Sequence, residues 1–168
     1  MHVDRAQSYP LYIAVGQRVQ GGVHGVLTMK LAIGCDHGGL ELKNAVVDYL
    51  NQNGHEVVNM GCDTPESVDY PVFAESLCEV VLGGKVDSGI LICGTGIGMS
   101  MAANRHAGIR AALCHESFTA KMSRAHNNAN VLCMGARVIG VGVALEIIKA
   151  WLETDFAGGR HLHRIEMF

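Results

Sequence analysis

Short apolar runs, each bounded by glycine or polar residues, recur along the chain from Lys30 onward. Runs of this length without polar alternation are typical of strands that are buried on both faces, as in a parallel sheet. We therefore predict five strands, at residues 31–35, 56–60, 89–93, 109–114 and 130–134.

Segments with a helical period separate these runs. They predict helices at residues 40–52, between Pro71 and Gly83, from about Met99, at residues 117–126 and at residues 141–154. The faces expected to point inward carry Leu42, Val46, Tyr49 and Leu50 in the first helix and Leu145, Ile148 and Leu152 in the last. Strands that alternate with helices indicate an α/β fold. We expect a single-domain three-layer αβα sandwich around a Rossmann-like five-stranded parallel sheet.

The first 28 residues differ from the rest of the chain. They show no helical period, and their only strand-like run is at residues 11–15. The simpler interpretation is an upstream leader, with Met29 as the natural start. The alternative is an added edge strand. We predict an N-terminal extension at residues 1–28 and one folded domain at residues 29–168.

Composition and charge exclude several classes of protein. Apolar residues make up 49% of the chain and charged residues 17%, which is far from the composition of a disordered chain. A net charge of −3 and a pI near 6.3 give no general attraction to nucleic acid or to an anionic membrane. The six cysteines include no C-x-x-C pair and no zinc-type spacing, which favours a reduced, cytoplasmic setting.

Chemically reactive residues follow the predicted strands. Ligands of open parallel sheets bind at the carboxyl ends of the strands. The first strand ends in Cys35-Asp36-His37, and the third ends in Cys93. We expect residues 124–128, at the end of the helix that follows the fourth strand, to face the same crevice.

A glycine-rich loop follows Cys93, and Gly94, Gly96 and Gly98 lie within it. Its backbone N–H groups could converge on an anion at the start of a helix. The alternative is a tight strand-to-helix turn. The loop lacks the G-K-[ST] ending of a nucleotide P-loop, and the dinucleotide pattern G-x-G-x-x-G also fails.

Cys93 is the candidate base, because it stands at a strand end directly before this loop. The competing interpretation, and the commoner role of cysteine, is a small buried hydrophobe. His37 and His126 fall at predicted ligand-facing ends and could move protons or hold an anion, although a structural role is as consistent with their spacing. The other histidines singled out, His2, His24, His55, His161 and His163, are interpreted as surface residues. Adjacent residues rarely all face one ion, so no metal is predicted at Cys35-Asp36-His37.

Two arginines in the tail, Arg160 and Arg164, are four residues apart and would point the same way on a helical turn. Such a pair suits phosphate, and a solvated basic face is the alternative. Arg137 follows the fifth predicted strand, on the expected ligand side.

Several segments resemble ribose-5-phosphate isomerase B, of the ribose/galactose isomerase family. They are LAIGCDHGG (31–39), DYP (69–71), GILICGTGIGMSMAANR (89–105), GIRAALC (108–114), SRAHNNANVLCMGARVIG (123–140) and GGRHLHRI (158–165). The resemblance runs from about residue 30 to residue 165, and residues 1–28 have no counterpart in it. The combination of C-G-T-G-x-G, the downstream H-N and G-G-R-H-x-x-R is highly specific.

The resemblance implies a sugar-phosphate isomerase domain with a cysteine base. Cys93 would move a proton between C1 and C2 through a cis-enediolate, His126 would open the sugar ring, and Thr95 would assist at the substrate oxygens. The enediolate would be stabilised by an anion hole made of Gly94, Thr95, Gly96, Ile97 and Gly98. One branch of the family uses a glutamate six residues after the cysteine position. Met99 stands there in this chain, which favours the cysteine mechanism.

The resemblance also implies a set of substrate contacts. Asp36 and His37 would contact the sugar, Tyr70 would shape the pocket, and Asn127 would hydrogen-bond the substrate. The phosphate would be held by Arg137, Arg160 and Arg164, some of them from the neighbouring subunit of a homodimer, which could pair into a tetramer. No metal or organic cofactor is implied.

The substrate implied by the resemblance is ribose 5-phosphate, in the non-oxidative branch of the pentose phosphate pathway. Related family members act on six-carbon sugar phosphates such as allose 6-phosphate or galactose 6-phosphate. A non-catalytic phosphosugar-binding module is a second alternative, although a sensor needs no base. A nucleotide-dependent oxidoreductase is the weakest alternative, because the dinucleotide fingerprint fails.

Overall fold

The computed structural model describes residues 28–168 and contains an all-parallel five-stranded sheet with helices on both faces. The strands are β1 (Lys30–Cys35), β2 (Glu56–Asn59), β3 (Ser88–Cys93), β4 (Ala111–Leu113) and β5 (Val131–Gly135), in the order β2-β1-β3-β5-β4. This architecture confirms the predicted α/β sandwich. The strand-like run at residues 11–15 lies outside the described residues, so the interpretation of residues 1–28 as an extension stays a prediction.

Six α-helices connect or follow the strands in the described part of the chain. They are α1 (Leu40–Gln52), α2 (Tyr70–Leu82), α3 (Ile97–Ala103), α4 (Ser117–Asn127), α5 (Val141–Leu152) and α6 (Arg160–Ile165). A short 3₁₀ turn, His37–Gly39, precedes α1. None of the helices described is long and apolar enough to cross a membrane.

Two helices begin earlier than predicted. The helix α2 begins at Tyr70, because Pro71 is tolerated in the first turn, where its missing N–H needs no partner. The helix α3 begins at Ile97 rather than near Met99. Gly96 precedes it with φ 78°, a left-handed conformation that glycine adopts without a steric penalty and that lets the chain turn directly into the helix.

The sheet is buried in its centre and half-exposed at its edges. The central strands β1, β3 and β5 are almost wholly buried, as predicted. The prediction was wrong for β2, whose Val57 and Val58 are half-buried and whose end residues are exposed, and for β4, which is half-buried and shorter than expected. Both are edge strands, and each pairs with one neighbour only.

The core has two parts, one on each face of the sheet. One part packs β1 residues such as Leu31 and Ile33 against α1 and α5, where Ile148 and Trp151 are buried. The other part packs Leu91 and Cys93 against α2 and α3. Alternation along β3 therefore turns the Cys93 side chain toward the α2 and α3 face.

The carboxyl ends of the central strands support one another's loops. The backbone N–H of Ala136 donates to the Cys93 carbonyl at 2.9 Å, and that of Arg137 donates to the Gly94 carbonyl at 2.9 Å. The chain passes close to Gly135 here, since a Cβ added at Gly135 would lie 2.6 Å from the carbonyl carbon and oxygen of Thr95. A side chain at position 135 would therefore displace the loop that follows β3.

We predict that Gly135→Ala lowers the free energy of unfolding by about 1–3 kcal/mol, because the new methyl group meets backbone that cannot rotate away. The matched control is Gly142→Ala on the first turn of α5, where an added Cβ has no neighbour within 4 Å. That control should keep or raise stability by up to about 1 kcal/mol through helix propensity. Urea unfolding followed by circular dichroism measures both; equal stabilities would contradict the close contact at Gly135.

Candidate active site

The loop after β1 is fixed by its own polar groups. Asp36 is 7% exposed, and its carboxylate accepts a hydrogen bond from the Gly38 backbone N–H at 2.9 Å. The backbone N–H of Asp36 donates to the Ile92 carbonyl of β3 at 3.3 Å. Nδ1 of His37 accepts from the Val68 N–H at 3.2 Å, which ties this loop to the segment before α2. Asp36 and His37 are thus held at the carboxyl end of the sheet, as predicted.

The thiol of Cys93 lies inside the glycine-rich loop. The residue is 5% exposed, and its Sγ accepts a hydrogen bond from the Gly96 backbone N–H at 3.1 Å. This backbone donor orients the thiol within the loop. The Ile97 N–H donates to Thr95 Oγ1 at 3.3 Å. The backbone N–H groups of Gly96 and Ile97 are therefore both hydrogen-bonded to side chains of the same loop.

Three further contacts close this side of the loop. The ring of Tyr70 packs on Gly98, where an added Cβ would lie 2.7 Å from the tyrosine Cζ. The side chain of Arg137 lies beside Gly94, because a Cβ added at Gly94 would be 3.6 Å from the Arg137 Nε. A Cβ added at Gly38 would lie 3.2 Å from the Gly94 nitrogen, so the loops after β1 and β3 are in contact.

These contacts define one cluster, which we name the carboxyl-edge group. Its members are Asp36, His37, Tyr70, Cys93, Gly94, Thr95, Gly96, Ile97, Gly98 and Arg137. The group combines a thiol, a carboxylate, an imidazole, a hydroxyl and a guanidinium around a backbone loop. Such a set can hold an anionic sugar and move a proton within it.

The remaining predicted site residues lie elsewhere in the chain. The helix α4 begins at Ser117, beyond the carboxyl end of β4, and ends at Asn127, before β5 begins. His126 and Asn127 therefore lie at the amino edge of the sheet. The prediction that residues 124–128 face the Cys93 crevice within one chain was wrong, because a helix between parallel strands must return to where the next strand starts. Along β5 alone the two edges are roughly 15 Å apart.

The tail joins His126 at this amino edge. The Ala157 N–H donates to the Ala125 carbonyl at 2.9 Å, and α6 packs on α4. Arg160 and Arg164 lie on α6, which confirms the predicted helical turn. We name His126, Asn127, Arg160, His161 and Arg164 the amino-edge group.

His161 is a member of this group that the sequence interpretation missed. Its ring stacks on that of His126, with centroids 4.1 Å apart and planes 5° from parallel. Desolvation lowers the pKa of His161, and the neighbouring His126, Arg160 and Arg164 lower it further. The sequence offered one signal for this role: His161 lies next to Arg160, between the two arginines Arg160 and Arg164.

The buried Arg124 fixes the end of α4. Its Nη1 donates to the Ala129 carbonyl, and its guanidinium lies 5.3 Å from the centroid of the Trp151 ring. Burial is the main cause that lowers the pKa of Arg124, with a smaller effect of the charge on Arg110. Through these contacts Arg124 connects the end of α4 to α5 and to the residue before β5. They therefore help to fix the position of His126 at the end of α4.

Within residues 28–168, no group of three or more His, Cys, Asp or Glu side chains is placed to hold a metal ion. The candidate site residues of one chain form two separate groups, one at each edge of the sheet.

Comparison with known proteins identifies the family. A family model described as Ribose/Galactose Isomerase matches residues 31–168. The chain is 50% identical over 137 residues to ribose-5-phosphate isomerase B of Escherichia coli strain K12, covering 82% of this chain and 92% of that protein. It is 46% identical over 139 residues to D-erythrulose-4-phosphate isomerase of Pectobacterium atrosepticum, covering 82% and 91%.

A solved structure agrees with these relatives. The structure of ribose-5-phosphate isomerase B from Clostridium thermocellum matches this fold with a TM-score of 0.82 at 50% identity, covering 83% of this chain and 94% of that one. The family model covers residues 31–168, which contain both edge groups. The chain therefore belongs to the Ribose/Galactose Isomerase family, as the resemblance of its motifs predicted.

Proposed function

We propose that this protein interconverts D-ribose 5-phosphate and D-ribulose 5-phosphate, with Cys93 as the base. The observation that carries the proposal is the Cys93 thiol, which accepts the Gly96 N–H at 3.1 Å between the Asp36 loop and Arg137. The half-identical relative named ribose-5-phosphate isomerase B supports the choice of substrate.

The chemistry requires one proton to move between neighbouring carbons. The Cys93 thiolate removes the proton from C2 of the open-chain aldose, and the electrons move to the carbonyl oxygen to give a cis-enediolate. The thiol then returns the proton to C1, while the hydroxyl at C2 loses its proton and becomes the ketone. Thr95 Oγ1 assists proton exchange between the two oxygens, loop amides stabilise the negative charge of the enediolate, and Arg137 holds the phosphate.

Ring opening is the role we assign to His126. Ribose 5-phosphate is predominantly a furanose, so a base and an acid must first transfer a proton from the anomeric hydroxyl to the ring oxygen. His126 lies at the opposite sheet edge from Cys93, together with Arg160 and Arg164. Within one chain these residues cannot act on the molecule that Cys93 holds.

A homodimer resolves this separation. In an isologous pair, the amino-edge group of one chain can meet the carboxyl-edge group of the other, which completes two identical sites. Exposed apolar side chains near the carboxyl edge support such an interface, since Ile97 is 51%, Met101 68% and Val138 51% exposed. Arg160 and Arg164 would then bind the phosphate across the interface, with Asn127 beside them. The sequence leaves further pairing into a tetramer open.

A cytoplasmic setting and a place in the pentose phosphate pathway complete the proposal. All six cysteines carry free thiols, which suits a reducing compartment. The mechanism uses protein groups for every proton transfer, so we expect turnover without metal or organic cofactor.

A second substrate class has support from a relative. The protein named D-erythrulose-4-phosphate isomerase is 46% identical to this chain, so a four-carbon sugar phosphate is an alternative substrate. The six-carbon sugar phosphates also remain alternatives.

The substrate assignment predicts the outcome of a direct assay. Purified protein in excess EDTA should convert ribose 5-phosphate with a kcat/KM at least tenfold above that for erythrulose 4-phosphate, allose 6-phosphate and galactose 6-phosphate at matched concentrations. The physical reason is the fixed distance between the phosphate arginines and the Cys93 sulfur. Preference for another sugar would retain the mechanism and reject the substrate, and absence of turnover on all of them would favour the sensor interpretation.

The base assignment predicts that Cys93→Ala lowers kcat by about 10² to 10⁴-fold, because no other group replaces the proton carrier. Binding of ribose 5-phosphate, measured by calorimetry, should persist. The matched control is Cys133→Ala, in the neighbouring strand β5 and also buried, which should lose some stability but keep turnover. Turnover that survives in the Cys93 variant would reject the thiolate base.

The shared-site geometry predicts complementation between two inactive variants. Cys93→Ala and His126→Asn should each be nearly inactive on ribose 5-phosphate. After mixing and random subunit exchange, about one quarter of wild-type activity should return, because half of the dimers are mixed and each contains one intact site.

The control for this exchange pairs two variants from the same edge. Cys93→Ala mixed with Arg137→Ala leaves no intact site, so its activity should not exceed the mean of the two parents. If the first mixture also stays at that mean, the two edge groups do not meet across a dimer interface.

A further inference from the structure

Two cysteines outside the proposed mechanism lie next to each other below the carboxyl-edge group. Cys35 ends β1, and Cys62 lies in the segment that follows β2. Their Sγ atoms are 3.9 Å apart, and the two residues are 0% and 8% exposed. Among the hydrogen bonds of the described residues, this is the only contact between two cysteine sulfurs.

The backbone holds the two sulfurs together. The Cys62 N–H donates to the Cys35 carbonyl at 3.1 Å, which continues the pairing of β1 with β2. Gly61 makes room for the Cys35 sulfur, since a Cβ at position 61 would lie 2.7 Å from that Sγ. A disulfide bond is about 2.05 Å long, so the two sulfurs need to approach by roughly 2 Å.

A buried lysine lies beside the pair. Lys43 is 1% exposed, and its Nζ donates to the Cys62 carbonyl at 2.8 Å and to Asp63 Oδ1 at 3.0 Å. Its positive charge favours a thiolate nearby. Burial is nevertheless the largest influence on Cys35, and with the neighbouring Cys62 it raises the pKa of Cys35 to about 12, so Cys35 keeps its proton. Cys62, the more exposed thiol, is the one that an oxidant meets first.

We propose that Cys35 and Cys62 are a redox modification site that forms an intrachain disulfide with a peroxide. The Cys62 sulfur attacks one peroxide oxygen, the O–O bond breaks, and water leaves with a sulfenic acid on Cys62. The Cys35 sulfur then attacks the Cys62 sulfur, the S–O bond breaks, and the hydroxyl leaves as water with the Cys35 proton. Two thiols and one hydrogen peroxide thus give one disulfide and two waters.

The site lies directly beside residues assigned to the substrate. Asp36 follows Cys35, and Met60 and Gly61 separate Cys62 from the end of β2. The proposal does not depend on the isomerase assignment, because it concerns the proximity of two thiols rather than turnover.

Peptide mapping of the full chain tests the proposal. Native protein is treated with stoichiometric hydrogen peroxide, alkylated in denaturant and digested with trypsin without reduction. Cleavage after lysine and arginine places Cys35 in peptide 31–43, Cys62 with Cys78 in peptide 44–85, and Cys93 in peptide 86–105. We expect peptides 31–43 and 44–85 to be joined, with the mass of two hydrogens lost, in most of the chains.

Variants identify the linked sulfur. The cross-link should persist in Cys78→Ala and disappear in Cys62→Ala, and peroxide added after unfolding should give a mixture of pairings instead. If peptides 31–43 and 44–85 stay unlinked while Cys93 is oxidised in the same sample, the oxidant has reached the protein and the proposal is wrong. A link that persists in Cys62→Ala and disappears in Cys78→Ala would also overturn it.

Discussion

Parallel pairing of β1, β3 and β5 determines where each reactive side chain of this protein lies. All three strands end at the same edge, so the residues after them share a crevice even though Asp36, Cys93 and Arg137 are far apart in the chain. The same constraint makes every connecting helix run back to the opposite edge. His126 therefore lies at the amino edge as a direct consequence of the geometry that brings the carboxyl-edge group together.

Close backbone contacts stabilise that crevice. Gly135 lies under Thr95, and a Cβ at Gly39 would lie 2.5 Å from the Ile92 carbonyl oxygen. At these points the absence of a side chain lets neighbouring loops approach to contact distance, and the Gly96 amide then reaches the Cys93 sulfur. The position of the thiol depends on these contacts as much as on β3 itself.

Two buried cations fix the edges of the sheet at the cost of desolvation. Arg124 is clamped between the Ala129 carbonyl and the Trp151 ring at the amino edge. Lys43 binds the Cys62 carbonyl and Asp63 at the carboxyl edge. A buried charge that loses its partners is strongly destabilising, so each cation stabilises the one loop conformation in which its partners are in place. One clamp orients the amino-edge group, and the other lies against the pair Cys35 and Cys62.

The sequence by itself determined the fold class, the central strands and those members of the carboxyl-edge group that directly follow a strand. Continuous apolar runs are a local property of the chain, and in a parallel sheet the residue after such a run must lie at the carboxyl edge. Only the tertiary structure decided that β2 and β4 are half-exposed edges and that α4 presents His126 at the opposite edge from Cys93. The stacking of His161 on His126 and the contact between Cys62 and Cys35 were also visible only in the tertiary structure. The physical reason is that strand order, helix return and ring stacking depend on contacts between distant segments, which periodicity along one segment does not contain.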